Sequence, residues 1–255
     1  MKIRFLGAHN CETKDTRLIS LLVDDVLVID AGALSSSLSL EAQKKIKAVL
    51  LTHQHYDHVR DVPMLGMNLF LGGYQTTIYS IPEVFEVLEK NLMDEVIYPD
   101  FRYKVPDKPT IKFSVVEPDK PQKILGYDVL PVPVKHVVPT VGYHLSADNK
   151  TFFYTADTGP GLAECWEEVS PQLLIIEVTG SNRFTQLAAE GGHLTPVLLQ
   201  QELEDFRKLK GYLPRVIIVH MSPHLEKEIA AEVDKVAKAL DASITLAREG
   251  LEISF

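Results

Sequence analysis

Two cysteines in 255 residues, Cys11 and Cys165, are too few for a disulfide framework, and no Cys-x-x-Cys spacing exists for a structural zinc or a redox couple. Cys165, beside Trp166, is expected to pack as a small hydrophobe. Cys11, near His9 in a polar loop, leaves open a thiol close to a metal. No apolar run approaches the ~20 residues of a membrane span. The first residues, Met1-Lys2-Ile3-Arg4-Phe5-Leu6-Gly7, alternate like a strand instead of building a signal-peptide core, so a cytoplasmic protein is the expectation. A basic excess is missing too: 26 Lys and Arg stand against 35 Asp and Glu, a net charge of −9. Long nucleic acid is gripped by a basic stripe, and here lysines alternate with acids, as in Glu226-Lys227-Glu228. Acidity says little about a small anion. What is present, 45% hydrophobic and 24% charged residues, suits one globular domain over 1–255.

The densest chemistry is Thr52-His53-Gln54-His55-Tyr56-Asp57-His58, directly after the apolar run Lys47-Ala48-Val49-Leu50-Leu51. Such a run reads as a buried strand. Alternate residues of extended chain point the same way, so His53 and His55 can reach one metal ion together. Asp57 and His58 follow where the chain turns and would face a second. Neutral imidazole and ionised carboxylate are preferred ligands of zinc and similar metals; a polar surface turn is the ordinary alternative.

Around this motif, strands are expected at 2–7, 17–24, 26–30, 47–51, 76–80, 111–116, 127–134, 141–146, 151–156, 173–177, 216–220, 243–246 and 251–254. Helices are expected at 39–46, 61–71 (Asp61 as N-cap, an early proline), 82–92, 195–210 and from Ser222-Pro223 to 240. Single candidate ligands end three apolar strands: His136, Asp157 and His220. For any one of them, a hydrogen-bonded loop residue is the ordinary alternative. The aromatics of 98–103 fit a pocket, a dimer contact or plain packing.

His-x-His-x-Asp-His after an apolar strand resembles the signature of the metallo-β-lactamase fold superfamily. The resemblance implies an αββα sandwich of two mixed sheets with helices outside. It implies a dinuclear centre with His53, His55 and His136 on one ion, Asp57, His58 and His220 on the other, and Asp157 bridging. Asp57 counts among the catalytic groups as well as the ligands. Zinc is the first expectation, manganese and iron the others. Asp30, at a strand end before Ala31-Gly32, matches a family position whose role is to hold the metal loop. The chemistry implied is hydrolysis by a hydroxide shared between the ions.

Two features narrow the substrate. Thr195 and Pro196 read as N-cap and first residue of a helix, which sets His193 just upstream of an N-terminus that favours phosphate. His193 can then protonate a departing alkoxide, with Glu177 orienting it; a plain cap in a glycine loop is the alternative. Gly192-His193-Leu194-Thr195 resembles the histidine-threonine loop of the phosphodiesterase branch, which includes ribonuclease Z and class II cyclic-nucleotide phosphodiesterases. The His-Thr-Pro-Gly turn usual at the third histidine of glyoxalase II is absent around His136. Ribonuclease Z carries a long basic arm between that histidine and the bridging aspartate. Here only residues 137–156 intervene, most of them a hairpin turning at Asp148-Asn149. The expectation is a phosphodiesterase acting on a small or cyclic nucleotide. An armless tRNA 3′-processing nuclease, a lactone or other carboxylic-ester hydrolase, and a non-enzymatic metal-binding scaffold are the alternatives. No membrane partner is expected, and region 61–92 is a candidate homodimer surface.

Overall fold

The computed structural model describes residues 1–105 and 107–255, and every element and absence below refers to these residues. The chain divides into two compact units: Met1–Gly7, Arg17–Glu117 and Glu249–Phe255 form the first, and Ala8–Thr16 and Pro118–Arg248 the second.

The first unit is a seven-stranded sheet. It contains β1 (Lys2–Gly7), β2 (Ser20–Val23), β3 (Leu27–Ile29), β4 (Ala48–Leu50), β5 (Thr76–Ser80) and β6 (Ile111–Val115), and the chain's last strand, Glu252–Ser254, pairs with β1. Neighbours are antiparallel as far as β3 and parallel from β3 to β6. The change follows from the connections. Asp24 and Asp25 both take positive φ in a tight turn between β2 and β3. Parallel strands need crossovers, supplied by α1 (Leu34–Ser37), α2 (Leu40–Gln43), α3 (Tyr56–Val59), α4 (Val62–Gly72) and α5 (Pro82–Asn91). Every residue of β3 and β4 is buried, which is why these strands read as unbroken apolar runs instead of alternating ones.

One expected cap is redirected. Asp61 stands at the N-cap of α4 but makes no side-chain bond to it. Its Oδ2 accepts instead from the amides of Ser35 (2.7 Å) and Ser36 (3.4 Å), in the first turn of α1. In the 98–103 stretch, Phe101 is buried against Phe70 with ring centroids 5.7 Å apart, Arg102 pairs with Asp100, and Tyr103 is exposed. That is ordinary packing.

The second unit holds another seven-stranded sheet, in the order β13-β12-β11-β10-β9-β8-β7. Its strands are β7 (Gln122–Ile124), β8 (Tyr127–Pro133), β9 (Val141–Ala147), β10 (Lys150–Tyr154), β11 (Leu173–Glu177), β12 (Arg215–Val219) and β13 (Ile244–Leu246). Pairing is antiparallel from β7 to β10 and parallel from β10 to β13. Asp148 and Asn149 have φ of 50° and 60°, the two left-handed residues of a tight hairpin between β9 and β10. Helices α6 (Ala163–Glu168), α7 (Thr185–Glu190), α8 (Pro196–Lys210) and α9 (Glu226–Leu240) complete the unit. Trp166 and Phe206 meet edge to face at 5.3 Å in its core, where Cys165 packs and burial pushes its thiol pKa up. The buried Glu202 carboxylate is satisfied there by Trp166 Nε1 and the amide of Leu162, both at 3.1 Å.

Two further expectations are corrected here. Thr195 occupies the N-cap position of α8, but its hydroxyl turns to Thr185 Oγ1 at 3.1 Å. The free amide of Val197 is capped by Asn182 Oδ1 at 2.8 Å. The last helix does not open at Ser222-Pro223: residues Pro223–Leu225 make a 3₁₀ turn and the α-helix begins at Glu226. Among the described residues no helix is long and apolar enough to cross a membrane.

Among the non-glycine residues with left-handed backbone are Asp30 (φ 58°) after β3, Ala156 (φ 58°) after β10 and His220 (φ 63°) after β12. Each such residue costs about 1–2 kcal/mol relative to ordinary backbone.

Candidate active site

The histidine-rich motif occupies the C-terminal end of β4, next to the same end of its parallel neighbour β3. Strand-end crevices of this kind are where open α/β sheets place their ligands. Asp30, fully buried, organises the motif. Its Oδ1 accepts from the amide and the hydroxyl of Thr52, each at 3.0 Å, and its Oδ2 lies 2.7 Å from His58 Nδ1.

These contacts fix proton positions by elimination. An ionised carboxylate only accepts, so His58 carries its proton on Nδ1. The Thr52 hydroxyl spends its own proton on Asp30, so it accepts from His53 Nδ1 at 3.0 Å. As neutral imidazoles, both rings therefore present Nε2 as the lone-pair nitrogen. The ligand atoms of His53 and His55 lie within 4.8 Å of each other, and His58 Nε2 is 3.6 Å from Asp57 Oδ2.

The second unit repeats the pattern at the C-terminal ends of β8, β10, β11 and β12. These strands all run the same way, because β9 is antiparallel to both β8 and β10. His136 follows β8, and its Nδ1 donates to the carbonyl of Gly192 at 2.9 Å. Gly192 has φ +72°, and a Cβ there would sit 2.8 Å from His136 Nδ1; only glycine brings this carbonyl so close. Asp157 follows β10, buried, with its Oδ2 4.0 Å from His136 Nε2 and 3.3 Å from His220 Nε2.

Thr179 is the hub that sequence reasoning missed. Its hydroxyl lies 2.9 Å from Glu177 Oε2, 2.8 Å from His220 Nδ1 and 3.3 Å from His193 Nδ1. With its single proton given to the carboxylate, Thr179 accepts from His220 Nδ1, which leaves Nε2 as the lone-pair nitrogen of a neutral ring. Glu177, buried at the end of β11, receives His193 Nδ1–H at 2.7 Å and the amide of Thr158 at 3.2 Å. The ligand atoms of Glu177, His193 and His220 lie within 4.8 Å of one another, and hydrogen bonding accounts for that grouping.

The donor set fits a metal. Within each unit an imidazole lone pair faces a carboxylate oxygen, at 3.6 Å in one and at 3.3 and 4.0 Å in the other. Two acceptors so placed are reconciled only by a proton or a cation between them. Ligands about 2.0–2.1 Å from a tetrahedral zinc stand about 3.3 Å apart, close to these separations. His53, His58, His136 and His220 are each turned by a protein acceptor on Nδ1, the arrangement that orients metal-binding imidazoles. His9 is buried with its Nε2 3.6 Å from Glu226 Oε2, and Cys11 is exposed; neither joins a ligand group among the described residues.

Asp30→Asn tests the orienting shell. The asparagine amide would set a donor against the donor His58 Nδ1–H or strip Thr52 of an acceptor. Metal affinity is expected to fall about 10- to 100-fold, read by competition with a chromophoric chelator, with the fold intact by circular dichroism.

Comparison with known proteins agrees with this geometry. The profile described as "Beta-lactamase superfamily domain" matches residues 24–221. A relative, 3′,5′-cyclic-nucleotide phosphodiesterase 1 of Saccharomyces cerevisiae, is 24% identical over 190 residues, which cover 62% of this chain and 50% of that protein. The match thus spans half the length of the relative. Among solved structures, unliganded yeast PDE1 superposes with a TM-score of 0.85 at 18% identity, covering 100% of this chain and 99% of the other. The metallo-β-lactamase fold protein YhfI from Bacillus subtilis superposes with a TM-score of 0.80 at 19% identity, covering 99% of each chain. These likenesses establish the αββα fold.

Proposed function

Because the chain belongs to the beta-lactamase superfamily, we propose that it is a dinuclear-metal hydrolase cleaving a phosphodiester in a small or cyclic nucleotide. The observation that carries this reading is the Glu177–His193 pair, closed at 2.7 Å and joined through Thr179 to His220. As the family resemblance implies, His53, His55 and His136 would hold one ion, Asp57, His58 and His220 the other, and Asp157 would serve both. When bound, two divalent ions, zinc first among the candidates and manganese or iron after it, would lower the pKa of a bound water towards ~7 and neutralise charge growing on the phosphoryl oxygens.

The chain's own residues supply the rest. His193 gives its Nε2 proton to the leaving alkoxide. Glu177 holds the ring by Nδ1 and favours its doubly protonated form before the transfer. Asp30, Thr52, Thr179 and Gly192 hold the ligand rings in one orientation, so little reorganisation accompanies the reaction. The small substrate is supported by the two-residue turn between β9 and β10, which leaves no basic arm between His136 and Asp157, and by the net charge of −9. The name of the yeast relative supports the cyclic-nucleotide class.

A substrate panel on metal-loaded protein tests the reading: 2′,3′- and 3′,5′-cyclic nucleotides, a tRNA precursor, a thioester and a lactone. Cyclic nucleotides are expected to be the best substrates, with turnover lost on chelation and restored by zinc or manganese. Faster turnover of the lactone or the thioester would overturn it.

A further inference from the structure

Beside His193, within the second unit, lies an open cavity of about 490 Å³ that the chemistry above leaves unused. Its wall includes Phe184, Leu187, Ala188, Gly191, Ser222 and His224, and the ring of His193 forms part of it. We propose that this cavity takes the nucleoside attached to the leaving oxygen, with the base lying flat on the Phe184 ring. The proposal rests on the phosphodiesterase reading of the neighbouring site.

Position is the first argument. A proton donor must touch the leaving oxygen, so whatever that oxygen carries extends into the space that His193 lines. The second is chemistry. The wall is mostly apolar and includes no acid, lysine or arginine, which suits a neutral sugar and base and leaves the phosphate to the metal donors. Its volume lies within the ~300–1,000 Å³ usual for small-molecule sites. The Ser222 hydroxyl accepts from Asn10 Nδ2 at 3.0 Å and so keeps its own proton for an acceptor on a ligand.

Phe184 is the third argument. The ring is 37% exposed although it sits in a structured turn. The Arg183 guanidinium lies 4.7 Å from its centroid, and Arg183 Nε is held by Glu228 Oε2 at 3.2 Å. Arg183 is not part of the cavity wall, whereas the Phe184 ring is. An aromatic ring held by a cation and exposed at a cavity wall can serve as a stacking platform. Losing such a platform costs about ten- to a hundredfold in base binding.

The experiment uses the full chain loaded with zinc and two substrates, a 3′,5′-cyclic nucleotide and the same cyclic phosphate of a ribose without a base. Wild type is expected to prefer the nucleotide. Phe184→Ala should lower its kcat/KM on the nucleotide about ten- to a hundredfold, mainly through KM, and leave the base-less substrate unchanged. Phe184→Tyr should restore the preference, whereas Phe184→Leu, which is apolar but not flat, should not. Calorimetric titration of adenosine should show binding to wild type and none to Phe184→Ala. Equal losses on both substrates, or wild-type indifference to the base, would overturn the proposal. If wild type binds adenosine but hydrolyses neither phosphodiester, the hydrolase reading fails and the cavity assignment stands. If it hydrolyses both alike and binds no adenosine, the reverse holds.

Discussion

Asp157→Ala is expected to lower turnover by about three orders of magnitude or more on every substrate, whatever its leaving group. The carboxylate is the one donor in the second unit that two imidazole lone pairs address together, His136 Nε2 at 4.0 Å and His220 Nε2 at 3.3 Å. Removing it takes a ligand from both proposed ions. Charge stabilisation by such ions amounts to several kcal/mol, and each 1.36 kcal/mol is about tenfold in rate. Metal content by atomic emission should fall with activity. Measurement on a 3′,5′-cyclic nucleotide and on bis(p-nitrophenyl) phosphate should give equal losses. Near wild-type turnover on both would remove Asp157 from the centre.

His193→Ala should behave differently on the same two substrates. A ribose alkoxide leaves poorly without a proton, and general acid catalysis contributes about 10²- to 10⁴-fold; turnover of the cyclic nucleotide should fall by that amount. p-Nitrophenolate leaves without help, so bis(p-nitrophenyl) phosphate should lose little. Metal content should stay at the wild-type level, because the ring is held by Glu177 and Thr179 and is not counted among the ligands. The contrast between the two variants separates the group that gathers the metals from the group that handles the proton. Equal losses on both substrates would take the proton-donor role from His193.

Much of this was legible in the sequence where the cause was local. The buried parallel strands announced themselves as unbroken apolar runs, and Asp148-Asn149 marked its hairpin by residue type. The cluster from His53 to His58 needed no partner from elsewhere to look like a ligand set. Helices α1 and α6 and the strand β7 were not legible, because three- to six-residue elements have too little periodicity to register. Nor were the caps: Asp61 and Thr195 hold the right positions, yet their side chains serve other segments, and Asn182 does what Thr195 was expected to do. Such exchanges depend on which segments meet in the fold. Thr52, Thr179 and Gly192 are silent in the sequence for the same reason: a threonine or a glycine becomes an orienting group only when a histidine is folded onto it. His136, Asp157 and His220 were singled out by their place after apolar strands, and only the family resemblance gave them roles.

The left-handed residues at Asp30, Ala156 and His220 set durability against performance. Together they tax the fold by about 3–6 kcal/mol, a large share of the roughly 5–15 kcal/mol that holds a domain together. All three sit at strand ends that carry or orient the donors, so relaxing them would harden the protein and misplace its ligands. A programme to make this enzyme tolerate heat should therefore leave these three turns strained and look for its gains in surface helices and loops.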